Sequence, residues 1–182
     1  MNTDQIGYLL RASTSGAVAG CRVAELEQPH LGCMLRIPQA HDYQVYGILY
    51  DMHIDDDGLV RQLVTAESIS AEVITDNRMH RSVPIEISMV FVGYQQNGQI
   101  FHLLPPRPPL TLEDVFLCNA QEMCSFTSSG HFGYFRHILR GNDFPIAEIL
   151  ASHLRQAGLA QSQHGNPAWI NAATQELITL LR

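Results

Sequence analysis

Pro84-Ile85-Glu86-Ile87-Ser88-Met89-Val90-Phe91-Val92-Gly93-Tyr94 is the longest strand signal in the chain. Ile85, Ile87, Met89 and Phe91 alternate with Glu86, Ser88, Val90 and Val92. A period of two sends successive side chains to opposite faces of a pleated sheet. Gln95-Gln96-Asn97-Gly98 follows at once. Asn-Gly suits the two left-handed positions of a tight hairpin, so Gln99–Leu104 is expected to return as an antiparallel partner. Outward from this hairpin, Ile6–Ser13, Cys21–Glu27, Gly32–Ile37, Val45–His53 and Asp114–Cys118 are apolar runs rich in β-branched and aromatic residues, bounded by Gly, Pro or Asp clusters. About seven strands at this spacing fit a barrel or a sandwich. A barrel also removes the strand edges that so apolar a sheet would leave open.

Two stretches depart from the strand pattern. Leu59, Val60, Leu63 and Val64, then Ile69, Val73 and Ile74, recur at helical spacing. A short helical insertion is therefore expected over residues 59–78. The segment before it, Asp55-Asp56-Asp57-Gly58, reads as a solvated turn, because its acids lack the spread of ligands that a calcium loop needs. Beyond residue 122 the chain is expected to be helical. Ile146, Ile149, Leu150 and Leu154 share a face, with Gly158 placed as a stop, and Ala160–Gly165 reads as a polar connector. Asn166-Pro167 is a capping residue ahead of a first-turn proline, and Ile170, Ala173, Leu177 and Leu181 form the stripe of a last helix. The expected class is α+β: residues 1–122 form a small closed β-barrel of about six or seven strands with a short helical insertion, and residues 123–182 a helical tail packed on it.

Composition excludes several chemistries. The 182 residues carry 11 basic and 18 acidic side chains, a net charge of -7, and every basic residue is arginine. Without lysine there is no phosphate loop of the Walker type, no Schiff base and no kinase strand lysine. A hydrophobic share of 46% with 16% charged residues fits a chain that fills a core. No run approaches a membrane-spanning length and the N-terminus lacks a signal-peptide pattern, so a cytoplasmic protein with no membrane partner is expected. Cys21, Cys33, Cys118 and Cys124 sit in apolar surroundings and read as buried thiols. The acidic balance argues against direct nucleic-acid contact, and neither Arg78 with Arg81 nor Arg136 with Arg140 makes a basic patch.

Spacing decides among the candidate sites. Cys118, Cys124, His131 and His137 form the best metal set, yet the cysteines are too far apart and the gap between the pairs is too short for a structural zinc. The preferred reading is buried thiols and surface histidines, with no metal, no cofactor and no catalytic residue. Thr127–Gly133 reads as a flexible linker between barrel and helices. Pro105-Pro106-Arg107-Pro108-Pro109 is the sharpest local feature. Its prolines fix the backbone, so it serves as a stiff connector that also presents Arg107 to a partner.

A family resemblance rests on four stretches. Ile6-Gly7-Tyr8-Leu9-Leu10-Arg11 opens like the first strand of the HAS-barrel, the N-terminal β-barrel of HerA-type ATPases and ATP synthase subunits. Gly32-Cys33-Met34-Leu35-Arg36-Ile37 resembles the family's turn into a strand, with Cys33 where an acidic residue is usual. Val45-Tyr46-Gly47-Ile48-Leu49-Tyr50-Asp51-Met52 is similar to its glycine-containing strand. Leu104 through Val115 is similar to its exit segment. The likeness covers residues 5 to 122. It implies a free-standing barrel, without the ATPase domain, that docks on a protein such as a HerA-type ring ATPase or its associated nuclease. Self-association is compatible with it. Two other functions are kept as alternatives: a metal-dependent or hydrolytic enzyme using Cys118, Cys124, His131 and His137, and an OB-like binder of single-stranded nucleic acid stacking bases on Tyr8, Tyr43, Tyr46 and Tyr50.

Overall fold

A computed structural model describes residues 5–21, 29–55, 58–66, 68–79, 84–141 and 144–182. Seven antiparallel strands make one sheet: β1 (Gln5–Ala12), β2 (Gly16–Cys21), β3 (Met34–Gln39), β4 (Tyr43–His53), β5 (Ile85–Gln96), β6 (Gln99–Phe101) and β7 (Asp114–Leu117). Their order is β2-β1-β7-β3-β4-β5-β6, and β2 also pairs with β5. That last pairing closes six strands into a barrel, leaving β6 as an extra strand on β5. The α+β barrel expected from the alternating pattern is therefore present.

The period of two in β5 explains the closure. Ile85, Ile87, Met89 and Phe91 point into the barrel, where they meet Leu9, Ala19, Leu35, Ile37, Val45, Leu49 and Val115. Side chains fill this interior, as in other small barrels. The alternate residues of β4 and β5 face outward, yet they are apolar too: Tyr46, Ile48 and Val92 are buried. A sheet apolar on both faces needs a second cover. The helices provide it.

Six helices accompany the sheet among the described residues: α1 (Leu59–Val64), α2 (Ala71–Met79), α3 (Ala120–Thr127), α4 (Phe135–Leu139), α5 (Ile146–His164) and α6 (Trp169–Leu180), with a 3-10 turn at Gly130–Phe132. None is long and apolar enough to cross a membrane. The helices α1 and α2 form the insertion expected over 59–78. The other four cover the outer face of the barrel, and Phe126, Tyr134, Phe135, Ile138, Ile149, Ala157, Trp169 and Ala173 join Met34, Tyr46, Ile48 and Val92 in one core. The helical tail thus packs on the barrel.

The chain announces α3 with a capping box. Asn119 accepts the Glu122 N–H at 2.9 Å, and Glu122 accepts the Asn119 N–H at 2.9 Å. Glu122 also pairs with Arg36 of β3 at 2.8 Å, tying the helix start to the barrel. At the other side of the layer, the loop before β3 clamps α5. Ser152 Oγ donates to the Leu31 carbonyl at 2.6 Å, and His153 Nδ1 lies 3.3 Å from the Gly32 carbonyl.

Gly32 has φ +77 and lies against α5: a Cβ there would stand 2.8 Å from the His153 nitrogen and 3.0 Å from the Ile149 carbonyl oxygen. Both neighbours are helix backbone, which cannot swing aside. Gly32→Ala is expected to cost about 2 kcal/mol from left-handed strain and a forced shift of α5. Urea unfolding followed by the fluorescence of the single tryptophan, Trp169, measures it. A loss near zero would show that α5 does not rest on this loop.

Several expectations need correction. Gly158 does not end a helix: α5 runs through it to His164, and the expected connector Ala160–Gly165 is largely the last turn of α5. The glycine is used for packing, since a Cβ there would lie 3.3 Å from Ile170 Cδ1 of α6. The stripe of α6 is rotated, burying Trp169, Ala173 and Leu177 while Leu181 is 70% exposed. Thr127–Gly133 is no linker, because Thr127 is buried at the end of α3 and the 3-10 turn continues from it. The strand β2 begins at Gly16, earlier than expected. Of the strand expected over Cys21–Glu27 only Cys21 falls within the described residues; Asp56, Asp57 and Arg81 lie outside them, as does the side chain of Arg78.

Candidate functional site

The segment between β6 and β7 crosses one side of the barrel. Pro105 and Pro109 are buried and act as its two anchors, while Pro106, Arg107 and Pro108 between them are exposed. The segment then docks on β1: the Leu112 N–H donates to the Leu9 carbonyl at 2.8 Å, and the Leu9 N–H donates to the Glu113 carbonyl at 2.9 Å. Burial raises the Glu113 carboxyl, while a hydrogen bond from the Leu110 backbone lowers it in part.

This stiffened segment carries leucines in water. Leu110 is 72% exposed and Leu112 76% exposed, with Leu103 and Leu104 exposed at its start and Tyr8 and Leu10 exposed on the adjoining β1. Leu112 also has φ +66. The left-handed region costs a leucine roughly 1 kcal/mol or more that a glycine would not incur. Neither exposure nor backbone angle helps the fold at this position. In the sequence Arg107 and the prolines stand out and the leucines do not; their signal is an apolar residue flanking each end of the proline run.

The four metal candidates are not brought together. Cys118 directly follows β7, and burial is the main cause that pushes its thiol well above the ordinary range, with Glu122 adding to it. Cys124 is buried in α3, and His131 is exposed on the 3-10 turn. His137 in α4 lies 3.2 Å from the His102 carbonyl through its Nε2. Among the described residues no three His, Cys, Asp or Glu side chains are grouped so as to hold a metal. The stacking tyrosines are dispersed as well. Tyr46 is buried beneath the helices, Tyr43 stands against Tyr94 at 5.6 Å, and Tyr50 stacks on Phe144 at 4.6 Å. Only Tyr8 among the four stands open to solvent, at 51%.

A pocket of about 640 Å³ opens where the β1–β2 turn meets the end of α4. Arg11, Ser13 and Ser15 come from the barrel side, and His137 and Arg140 from α4 and its C-cap. Tyr50 and Phe144 stack at its wall. Tyr50 is aimed there by a bulge, since the β4–β5 register shifts between Leu49 and Asp51. Arg11 is held by Glu86, Nη2 to Oε2 at 2.9 Å and Nη1 to Oε1 at 3.3 Å. That pair is exposed, so it orients the guanidinium more than it stabilises the fold. Burial lowers the His137 imidazole, and Arg136 and Arg140 push it further down against the opposing His102 carbonyl. It is neutral at pH 7.

Compared with family models and with curated proteins, the chain finds no match in either set.

Proposed function

We propose that the chain is a non-enzymatic docking module, a HAS-like barrel whose leucine-bearing segment seats in an apolar groove on a HerA-type ring ATPase. The observation that carries this reading is Leu112, kept both in water and in a left-handed backbone conformation on a proline-anchored strut. Exposed apolar clusters of this sort mark interaction surfaces. Pre-organisation by the prolines lowers the ordering cost of binding. Arg107, exposed between the anchors, selects a groove flanked by a carboxylate, for which its planar fork is suited. The likeness of residues 5 to 122 to the HAS-barrel supplies the partner class. The absence of lysine fits a module that leaves nucleotide chemistry to its partner.

The double variant Leu110→Ser, Leu112→Gly separates docking from folding. Both side chains are exposed and glycine relieves the positive φ, so thermal stability is expected to hold. Association with a HerA-type ring ATPase from the same cell, measured by light scattering on the co-purified complex, is expected to weaken by about tenfold or more. Absence of a complex with the parent chain, with and without nucleotide, rejects the proposal. So does a complex that the double variant forms equally well.

A further inference from the structure

We infer that the pocket between the β1–β2 turn and α4 is a binding site for a small aromatic anion, a planar ring bearing a carboxylate or phosphate group. Leu104, at the start of the leucine-bearing segment, borders the pocket, but the inference does not depend on the docking reading.

Charge is the first ground. In a chain of net charge -7, the described residues lining this pocket include Arg11, Arg140 and His137 and no carboxylate. Arg11 is neutralised by Glu86, which fixes its position. Arg140 lines the pocket from the C-cap of α4 and is exposed. It follows the last turn of α4 within reach of His137, whose imidazole it helps to hold neutral. An anion placed beside Arg140 offers its guanidinium a bidentate partner.

Shape is the second. A volume of about 640 Å³ falls in the range of sites that take small organic ligands and is far larger than a lone inorganic ion needs. The wall supplied by Tyr50 and Phe144 is aromatic, and both rings are only half-buried. Such a wall favours a planar ring over an aliphatic chain. Hydroxyl groups complete the lining. Ser13 Oγ is occupied by the turn it organises, accepting the Ser15 and Gly16 N–H groups at 3.2 Å each. Among the described residues Ser15 Oγ hydrogen-bonds only with Ser13 Oγ, at 3.1 Å, and keeps hydrogen-bonding capacity for a ligand.

The whole protein titrated calorimetrically at low salt with benzoate, phenyl phosphate, benzamide and inorganic phosphate tests this. At least one of the two aromatic anions is expected to bind with a dissociation constant below about 1 mM, and neutral benzamide at least about tenfold more weakly. Preference for phenyl phosphate over benzoate assigns a phosphate ligand, and the reverse a carboxylate. Arg140→Gln, an exposed change that leaves the thermal transition in place, is expected to weaken the anion about tenfold. Tyr50→Leu is expected to remove the advantage of phenyl phosphate over inorganic phosphate. The inference is overturned if neither aromatic anion binds below about 1 mM, if benzamide binds as well as the tighter of the two aromatic anions, or if R140Q leaves the affinity unchanged.

Discussion

Replacing Phe126 by alanine is expected to lower the unfolding free energy by about 4 kcal/mol, near the top of the range for a buried aromatic. Phe126 is completely buried between the barrel and the helical layer. Its ring stands 4.7 Å from Tyr46 of β4, 4.6 Å from His102 and 5.5 Å from Tyr134. A truncated side chain would leave a cavity bounded by three rings that belong to different segments. They could not all close in without dragging a strand or a helix. The Phe126 carbonyl stands 3.0 Å from His102 Nε2, so the helix position that sets the ring also gives one nitrogen of a buried imidazole a partner. Phe126→Leu, which keeps most of the volume, is expected to cost about a third as much. Urea unfolding read at Trp169 gives both values, and a loss below about 1 kcal/mol for the alanine variant would place the junction of barrel and helices elsewhere.

Acid is expected to weaken the fold by about 3 kcal/mol through a single buried histidine. His153 of α5 is fully buried; Tyr134 Oη stands 3.1 Å from its Nε2 and the Gly32 carbonyl 3.3 Å from its Nδ1. One tautomer satisfies both contacts: Nδ1–H donates to Gly32, and Nε2 accepts from the Tyr134 hydroxyl. Protonation would turn Nε2 into a donor, so the Tyr134 hydroxyl would lose the acceptor of its own proton. Burial accordingly lowers the imidazole from 6.5 to about 4, against a smaller opposing contribution from the Gly32 carbonyl. The unfolded chain takes up a proton near pH 6.5 that the folded chain refuses until about pH 4. Stability therefore stays level above about pH 6.5, falls as pH drops from there to about 4, and levels off below. Burial lowers His102 and His137 as well, adding slope of the same sign. Unfolding free energies at pH 7, 6 and 5 trace the decline. His153→Gln can donate to Gly32 and accept from Tyr134 without titrating, so it should flatten the slope over that range. A slope unchanged in H153Q would rule out this histidine as the source.

What was legible in the sequence was periodicity. Ile85 to Phe91 alternate because one face of β5 fills the barrel, and that constraint shows in any single chain. The strand β2 was hidden for the opposite reason. Gly16-Ala17-Val18-Ala19-Gly20-Cys21 has small residues where a strand usually shows bulky ones. The structure explains the two glycines by close approach, since a Cβ on Gly16 would stand 2.5 Å from the Met89 carbonyl oxygen of β5 and one on Gly20 3.1 Å from the Pro84 side chain. Composition misled at Thr127–Gly133 in the same way: Ser and Gly suggested slack, whereas Gln161 Nε2 reaches Thr127 Oγ1 at 2.8 Å and Trp169 Nε1 donates to the Thr127 carbonyl at 3.1 Å. The proline strut was readable because it is contiguous. The pocket was not, because Arg11, Tyr50, Arg140 and Phe144 come from four separate stretches and carry no shared motif.

The position of β7 has a consequence for biosynthesis. It lies between β1 and β3, pairing Val115 with Gly7 on one side and Leu117 with Leu35 on the other. The keystone of the ring is therefore the last of its strands to leave the ribosome. Until Asp114–Leu117 emerges, β1 and β3 each have one unmatched ladder, so both edges stay open while all of β4, the helical insertion, β5 and β6 are made. Contacts that span so much sequence close slowly. A cell making this protein has reason to keep a chaperone near the exit tunnel while it waits for four residues.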